Sequence, residues 1–167
     1  MTNDNPDEIE YTEKEYAGRL HARATDGGIE LAAPDATDAL TTASTAARLA
    51  AENLAGRYGE ESDVVRMFAA ASKFASETVK YDSVRDSEPN HPPARGQFVD
   101  VLLLAQASAF MAETLRREHN TGGDAEQYQH AAEVTTDIWD SLIRPLGIQA
   151  IGGRMEQTEH HYEGHGL

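Results

Sequence analysis

The chain contains no cysteine, which excludes disulfides, thiolate metal ligands and cysteine nucleophiles. Cations are scarce. Lys14, Lys73 and Lys80 are the only lysines, and 14 Lys+Arg stand against 29 Asp+Glu, for a net charge of −15. Such a surface does not grip nucleic acid, because phosphate binding needs cations that displace counterions. No uninterrupted run approaches the ~20 apolar residues that span a bilayer, and the acidic start is unlike a signal peptide. No membrane partner is expected. Aromatic residues make up only 7% of the chain, and alanine, threonine, aspartate and glutamate dominate.

What is present is one domain's worth of sequence: 167 residues, enough to bury roughly 70% of the unfolded surface. Acidic disordered chains are also poor in large hydrophobes. Here, however, apolar residues recur at helical spacing from Leu40 to Leu146, as a folded core requires. The charge balance suits concentrated salt. At about 1 M salt the Debye length is about 3 Å, so surface carboxylates cease to repel beyond near contact. In dilute buffer the same charges push the structure apart. A halophilic source is expected.

The expected fold is all-α, a bundle of about four long helices with a short N-terminal helix and an extended C-terminal arm. Residues 1–34 read as a flexible polar lead, 35–151 as the bundle and 152–167 as the arm. In the lead, Thr12 and Glu15 make a capping-box pattern for a short helix, stopped by Asp26-Gly27-Gly28. Ile29-Glu30-Leu31 reads as a brief extended stretch. The first long helix is predicted from Asp35, its cap, to Tyr58, with the stripe Leu40, Ala43, Ala47, Ala50 and Leu54. The second begins after Ser62-Asp63, with Val64, Val65, Phe68, Ala71 and Val79 inward. A loop from Asp82 to Pro93 follows, long enough to be a candidate partner surface through His91, Pro92 and Pro93. The third helix, around Phe98 to Leu115, is apolar on nearly every side, so it belongs at a bundle centre or against another subunit. Val101, Leu102, Leu104, Phe110 and Met111 are the predicted interface positions. The fourth helix starts near Asp124 and is expected to close at Pro145 and Gly147.

The chemistry-bearing residues are few. His160, His161 and His165, with Glu159 and Glu163, are ligand types for zinc, nickel or copper. Spacing within an arm fixes no geometry, so these three histidines are weak metal candidates, and a partner-binding arm anchored by Tyr162 and Leu167 is the favoured reading. Glu126, His130 and Glu133 share a helix face, but the Glu-x-x-His pairs of a di-iron bundle are missing. No nucleophile elbow marks a serine. Asp100 is the one carboxylate in an apolar helix and reads as a cap or ion-pair partner. No catalytic residue and no cofactor are expected.

The order of elements resembles the head–tail connector (adaptor) proteins of long-tailed phages and related viruses. The resemblance rests on Tyr11-Thr12-Glu13, on Ala51-Glu52-Asn53-Leu54-Ala55-Gly56-Arg57-Tyr58, on Pro92-Pro93-Ala94-Arg95 before the apolar Val101–Phe110 stretch, and on Leu142-Ile143-Arg144-Pro145-Leu146. The segment between Gly59 and Pro92, with its own helix, is longer than in shorter family members. The resemblance implies a non-enzymatic virion protein assembled in the host cytoplasm, and together with the charge balance it points to a halophilic archaeal virus as the expected source. It would form a homo-oligomeric ring, usually of twelve copies, that joins the portal protein to tail proteins and lets DNA pass through its lumen without specific binding. The alternative is a cellular halophilic four-helix protein-binding module, and a metal-dependent enzyme using the arm histidines is a further rival.

Overall fold

In the computed structural model, residues 8–10, 21–118 and 123–148 are described. Four long helices carry the structure: α1 (Thr37–Tyr58), α2 (Asp63–Val84), α3 (Phe98–Arg117) and α4 (Gly123–Ile138). A small antiparallel sheet joins them, built from β1 (Glu8–Glu10), β2 (His21–Thr25), β3 (Gly28–Ala32) and β4 (Arg95–Gly96) in that spatial order.

Small residues set the spacing of α1 and α2. The buried face of α1 is Ala39, Leu40, Ala43, Ser44, Ala46, Ala47 and Ala51, against Ala71, Phe74, Ala75 and Thr78 of α2. With so little side chain between them, hydroxyl groups bridge the backbones. Ser44 Oγ donates to the Ser72 carbonyl at 2.8 Å, Ser72 Oγ donates to the Ser44 carbonyl at 2.8 Å, and the Ser44 and Ser76 hydroxyls lie 2.7 Å apart. Asp35 does not cap α1. It sits in a 3-10 turn, Pro34–Ala36, ahead of the helix, and Ala36 occupies the cap position without a side-chain hydrogen bond. At the far end Gly59 takes φ +88° and returns its N–H to the Ala55 carbonyl, a conformation that favours glycine.

The sheet corrects the reading of residues 21–34 as a polar lead. Ala22, Ile29, Leu31 and Ala33 are all buried in the core. Asp26-Gly27 is not a helix stop but the two-residue turn of the β2–β3 hairpin, with Thr25 paired to Gly28 and Gly27 at φ +91°. A Cβ on Gly28 would lie 2.1 Å from the Gly96 carbonyl oxygen, so the approach of β3 to β4 needs glycine. The short helix expected from Thr12 lies outside the described residues.

Helix α3 packs against α1, α2 and α4. Its start is a capping box: Asp100 Oδ2 accepts the Gln97 N–H at 2.7 Å, and the Gln97 side chain accepts in return from the backbone of Asp100. By length and composition α3 alone among the described helices could cross a membrane, with a mean hydropathy of 1.5. A core helix meets the same test. Helix α4 does not close at Pro145. A π-helical segment, Trp139–Ile143, widens the turn ahead of it and helical backbone continues through 144–148. Just ahead of Pro145, which offers no N–H to the helix, the Arg144 N–H donates to the Trp139 carbonyl five residues back. Ile138, Leu142, Ile143 and Leu146 then complete the core.

Candidate functional site

The described surface has one markedly apolar cleft. It forms where the C-terminal half of α1, the start of α2 and the second half of α3 meet, and encloses about 440 Å³. Ala50 and Leu54 come from α1, Val64 and Phe68 from α2, Ala107 and Phe110 from α3. Asn53, Arg57 and Gln106 supply the polar edge. The gap has a local cause: α1 presents alanine at position 50 and α3 presents alanine at 107, so three helices converge without enough side chain to fill the centre. Phe110 forms one lip and is 56% exposed. Tyr58 and Met67, near the same end of the bundle, are also exposed. Arg57 has no ion-pair partner among the described residues.

The predicted interface positions separate into two groups. Val101 and Leu104 are completely buried within the chain's own bundle, so they are spent on the internal core and are unavailable to a neighbour. Leu102 and Met111 are half-buried, and Phe110 alone lies open in the cleft. Leu54, Val64 and Phe68 are the cleft residues that periodicity could not single out, because each falls on a stripe that otherwise faces the core.

The loop after α2 is a separate place. Helix α2 continues to Val84, two residues past the predicted start of that loop. His91 Nδ1 lies 3.4 Å from Glu88 Oε2, and its ring tilts against Tyr81 at 6.3 Å between centroids. Pro92 and Pro93 are exposed. From Val64 in the cleft to Tyr81 beside this loop is about 26 Å along the helix axis, so the structure does not bring cleft and loop together. Tyr162, Leu167, His160, His161 and His165 lie outside the described residues. Among the described residues no group of three or more His, Asp or Glu is placed to hold a metal ion.

Two buried carboxylates brace the frame that positions these surfaces. The Asp82 side chain is 2% exposed; its Oδ2 accepts the Ala33 N–H at 2.9 Å, and Arg85 Nη1 is 3.9 Å from Oδ1. Desolvation pushes its carboxyl above the usual range, with the Ala33 N–H and Arg85 opposing the shift. Burial likewise raises Asp100, opposed by the Gln97 N–H. Both groups serve architecture: one ties α2 to the entry of α1, the other starts α3.

The arrangement offers an apolar receptacle bordered by one arginine, suited to receiving a hydrophobic side chain from another protein surface. Against known proteins, the chain matches no protein-family model, no curated protein and no solved structure.

Proposed function

We propose that the protein is a structural virion subunit, a head–tail adaptor that closes into a ring between portal and tail and passes DNA through an acidic lumen. The observation that carries this reading is the apolar cleft around Phe110, a surface that a monomer in brine has reason to cover. A ring needs a heterologous contact, in which one patch meets a different patch on the next copy. Ile148 offers the second patch: it is 62% exposed. It lies beside Gly147, which faces the Phe98 ring at the opposite end of α3 from the cleft. Phe98 and Phe110 are about 18 Å apart along that helix, so the two patches point to different neighbours.

The test is mass by ultracentrifugation in about 2 M KCl, with electron microscopy of the same sample. A ring many times 18.2 kDa is expected. Leu54→Asp and Ile148→Asp should each dissolve it. Solitary, folded protomers at every concentration would overturn the reading, and so would a dimer broken by Leu54→Asp but indifferent to Ile148→Asp.

A second reading, the single-copy protein-binding module, draws on one observation. Val101 and Leu104 are already shielded, so α3 does not need sister molecules to be soluble. In that case the cleft receives a partner's helix and the mass stays at one or two chains.

A further inference from the structure

The strands of the sheet are antiparallel throughout and lie in the order β1-β2-β3-β4. Their register sets Glu8 opposite Arg23, Arg23 opposite Glu30 and Glu30 opposite Arg95, so charge alternates along one row that crosses the whole sheet. Within the row, Arg23 and Glu30 each have an opposite charge on either side. At the ends, Glu8 and Arg95 each have one. Arg95 directs its Nε–H to Glu30 Oε2 at 3.0 Å, and its side chain is 70% exposed.

The same row fixes where the backbone groups at its two ends point. In a two-residue hairpin the residues flanking the turn, here Thr25 and Gly28, exchange both hydrogen bonds. Bonded and non-bonded pairs alternate from there, so Arg23 and Glu30 are again a bonded pair. Each then turns its polar groups away from the strand on its other side. Glu8 and Arg95 therefore do not bond inward, and their N–H and C=O groups face the outer edges. A distance agrees at one end. A Cβ on Gly28 would lie 2.1 Å from the Gly96 oxygen but 3.3 Å from its carbonyl carbon, so that carbonyl points into the sheet and the preceding Arg95 points out. No turn or loop among the described residues pairs with the Arg95 backbone.

We propose that β4 of one copy pairs with β1 of the next, edge to edge and antiparallel, with Arg95 opposite Glu8. The inference rests on the reading of the protein as an assembly of copies, and it concerns a surface other than the cleft. An edge strand with unpaired N–H and C=O groups is a template for another strand, and a second copy fits this edge in three ways. Strands β1 and β4 run in opposite directions within one copy, so β1 of the next lies antiparallel beside β4. Arg95 and Glu8 both face outward and so close two backbone hydrogen bonds as a bonded pair. The row then continues from arginine to glutamate, and opposite charges directly across strands attract whereas like charges repel. Pro92 and Pro93, just before β4, offer no N–H to a longer strand, so the edge suits a strand as short as β1. The contact joins two unlike edges and is therefore heterologous, as a closed ring requires.

The lack of cysteine allows a direct test. The full-length double variant Glu8→Cys/Arg95→Cys is oxidised with glutathione disulfide in about 2 M KCl and run on a non-reducing gel. Within one copy the two positions are three strand spacings apart, about 14 Å. A disulfide needs Cα atoms within about 7 Å, so it can form only between copies. A ladder of multiples of 18.2 kDa that collapses on reduction is expected, whereas each single variant stops at a dimer. Glu8→Cys/Arg48→Cys, with its second thiol at an exposed position of α1, should give no ladder. A thermal melt establishes that each variant is folded. Ring-sized mass in the wild type with no ladder from the Glu8/Arg95 variant, or an equal ladder from the Arg48 pair, overturns the edge contact and leaves the adaptor reading standing. Solitary protomers by sedimentation, with no ladder, overturn both.

Discussion

Asp82 and Ala33, far apart in sequence, are joined by a single hydrogen bond of 2.9 Å from the Ala33 N–H to the Asp82 carboxylate. That bond fixes the last turn of α2 to the hinge where the sheet gives way to α1. The second oxygen has no hydrogen-bond partner, and burial raises the carboxyl's pKa above 3.8. A raised pKa means that the folded state holds the proton more tightly than the unfolded state. The stability linked to it is full below the unfolded value and is lost as pH rises through the folded one. Asp82→Asn, which removes the titration, should therefore gain stability relative to wild type between about pH 4 and about pH 7. Urea unfolding at the two pH values measures the difference, and a constant difference would contradict the assignment.

Glycine substitutions should act in opposite directions at two positions. A Cβ on Gly96 would lie 2.6 Å from the Phe74 ring and 2.7 Å from Asp100 Oδ2. Gly96→Ala is expected to cost about 2 kcal/mol or more through overpacking. Gly56, inside α1, has nothing within 4 Å of its added carbon. Gly56→Ala should stabilise by about 1 kcal/mol. Thermal melts in high salt compare the pair.

Ser108 is completely buried in α3, and its hydroxyl has no hydrogen-bond partner. Ser108→Ala removes a desolvated polar group and should raise stability by about 1 kcal/mol. A loss of that size would mean the hydroxyl is satisfied after all.

Leu104 and Phe110 share a helix but should report on different properties. Leu104→Ala is expected to cost about 2–5 kcal/mol of folding stability, because the side chain is wholly enclosed by its own chain. Phe110→Ala should leave the melting temperature of the protomer nearly unchanged and weaken assembly instead. Denaturation and sedimentation of the two variants separate these effects.

Salt dependence follows from the charge. With 29 acidic against 14 basic residues, raising KCl from about 0.1 M to about 3 M should raise the melting temperature as repulsion is screened. An unchanged value removes the argument for a halophilic design.

The four helices were legible because their apolar positions keep a period near 3.6 and their ends carry Ser62, Gly59 and Gly123. The sheet was not. All five residues of β3 are buried, so the alternation that betrays a half-exposed strand is missing, and Asp26-Gly27 serves a helix end and a hairpin equally well in sequence. Pro145 misled for a different reason, since its cost is absorbed by a π-helical turn that no local pattern announces. In the cleft, Leu54, Val64 and Phe68 obey the same periodicity as enclosed residues. Only the convergence of three helices tells an open position from a filled one. The row Arg23, Glu30 and Arg95 depends on strand register, which linear order does not contain.

The reciprocal hydroxyl bonds of Ser44, Ser72 and Ser76 restrict how α1 and α2 can move. Sliding one helix past the other by a turn, about 5.4 Å, would break them together, whereas a seam of alanine alone would offer little resistance. Widening of the neighbouring cleft to admit a guest therefore has to come from the helix ends splaying outward around a stationary serine pivot.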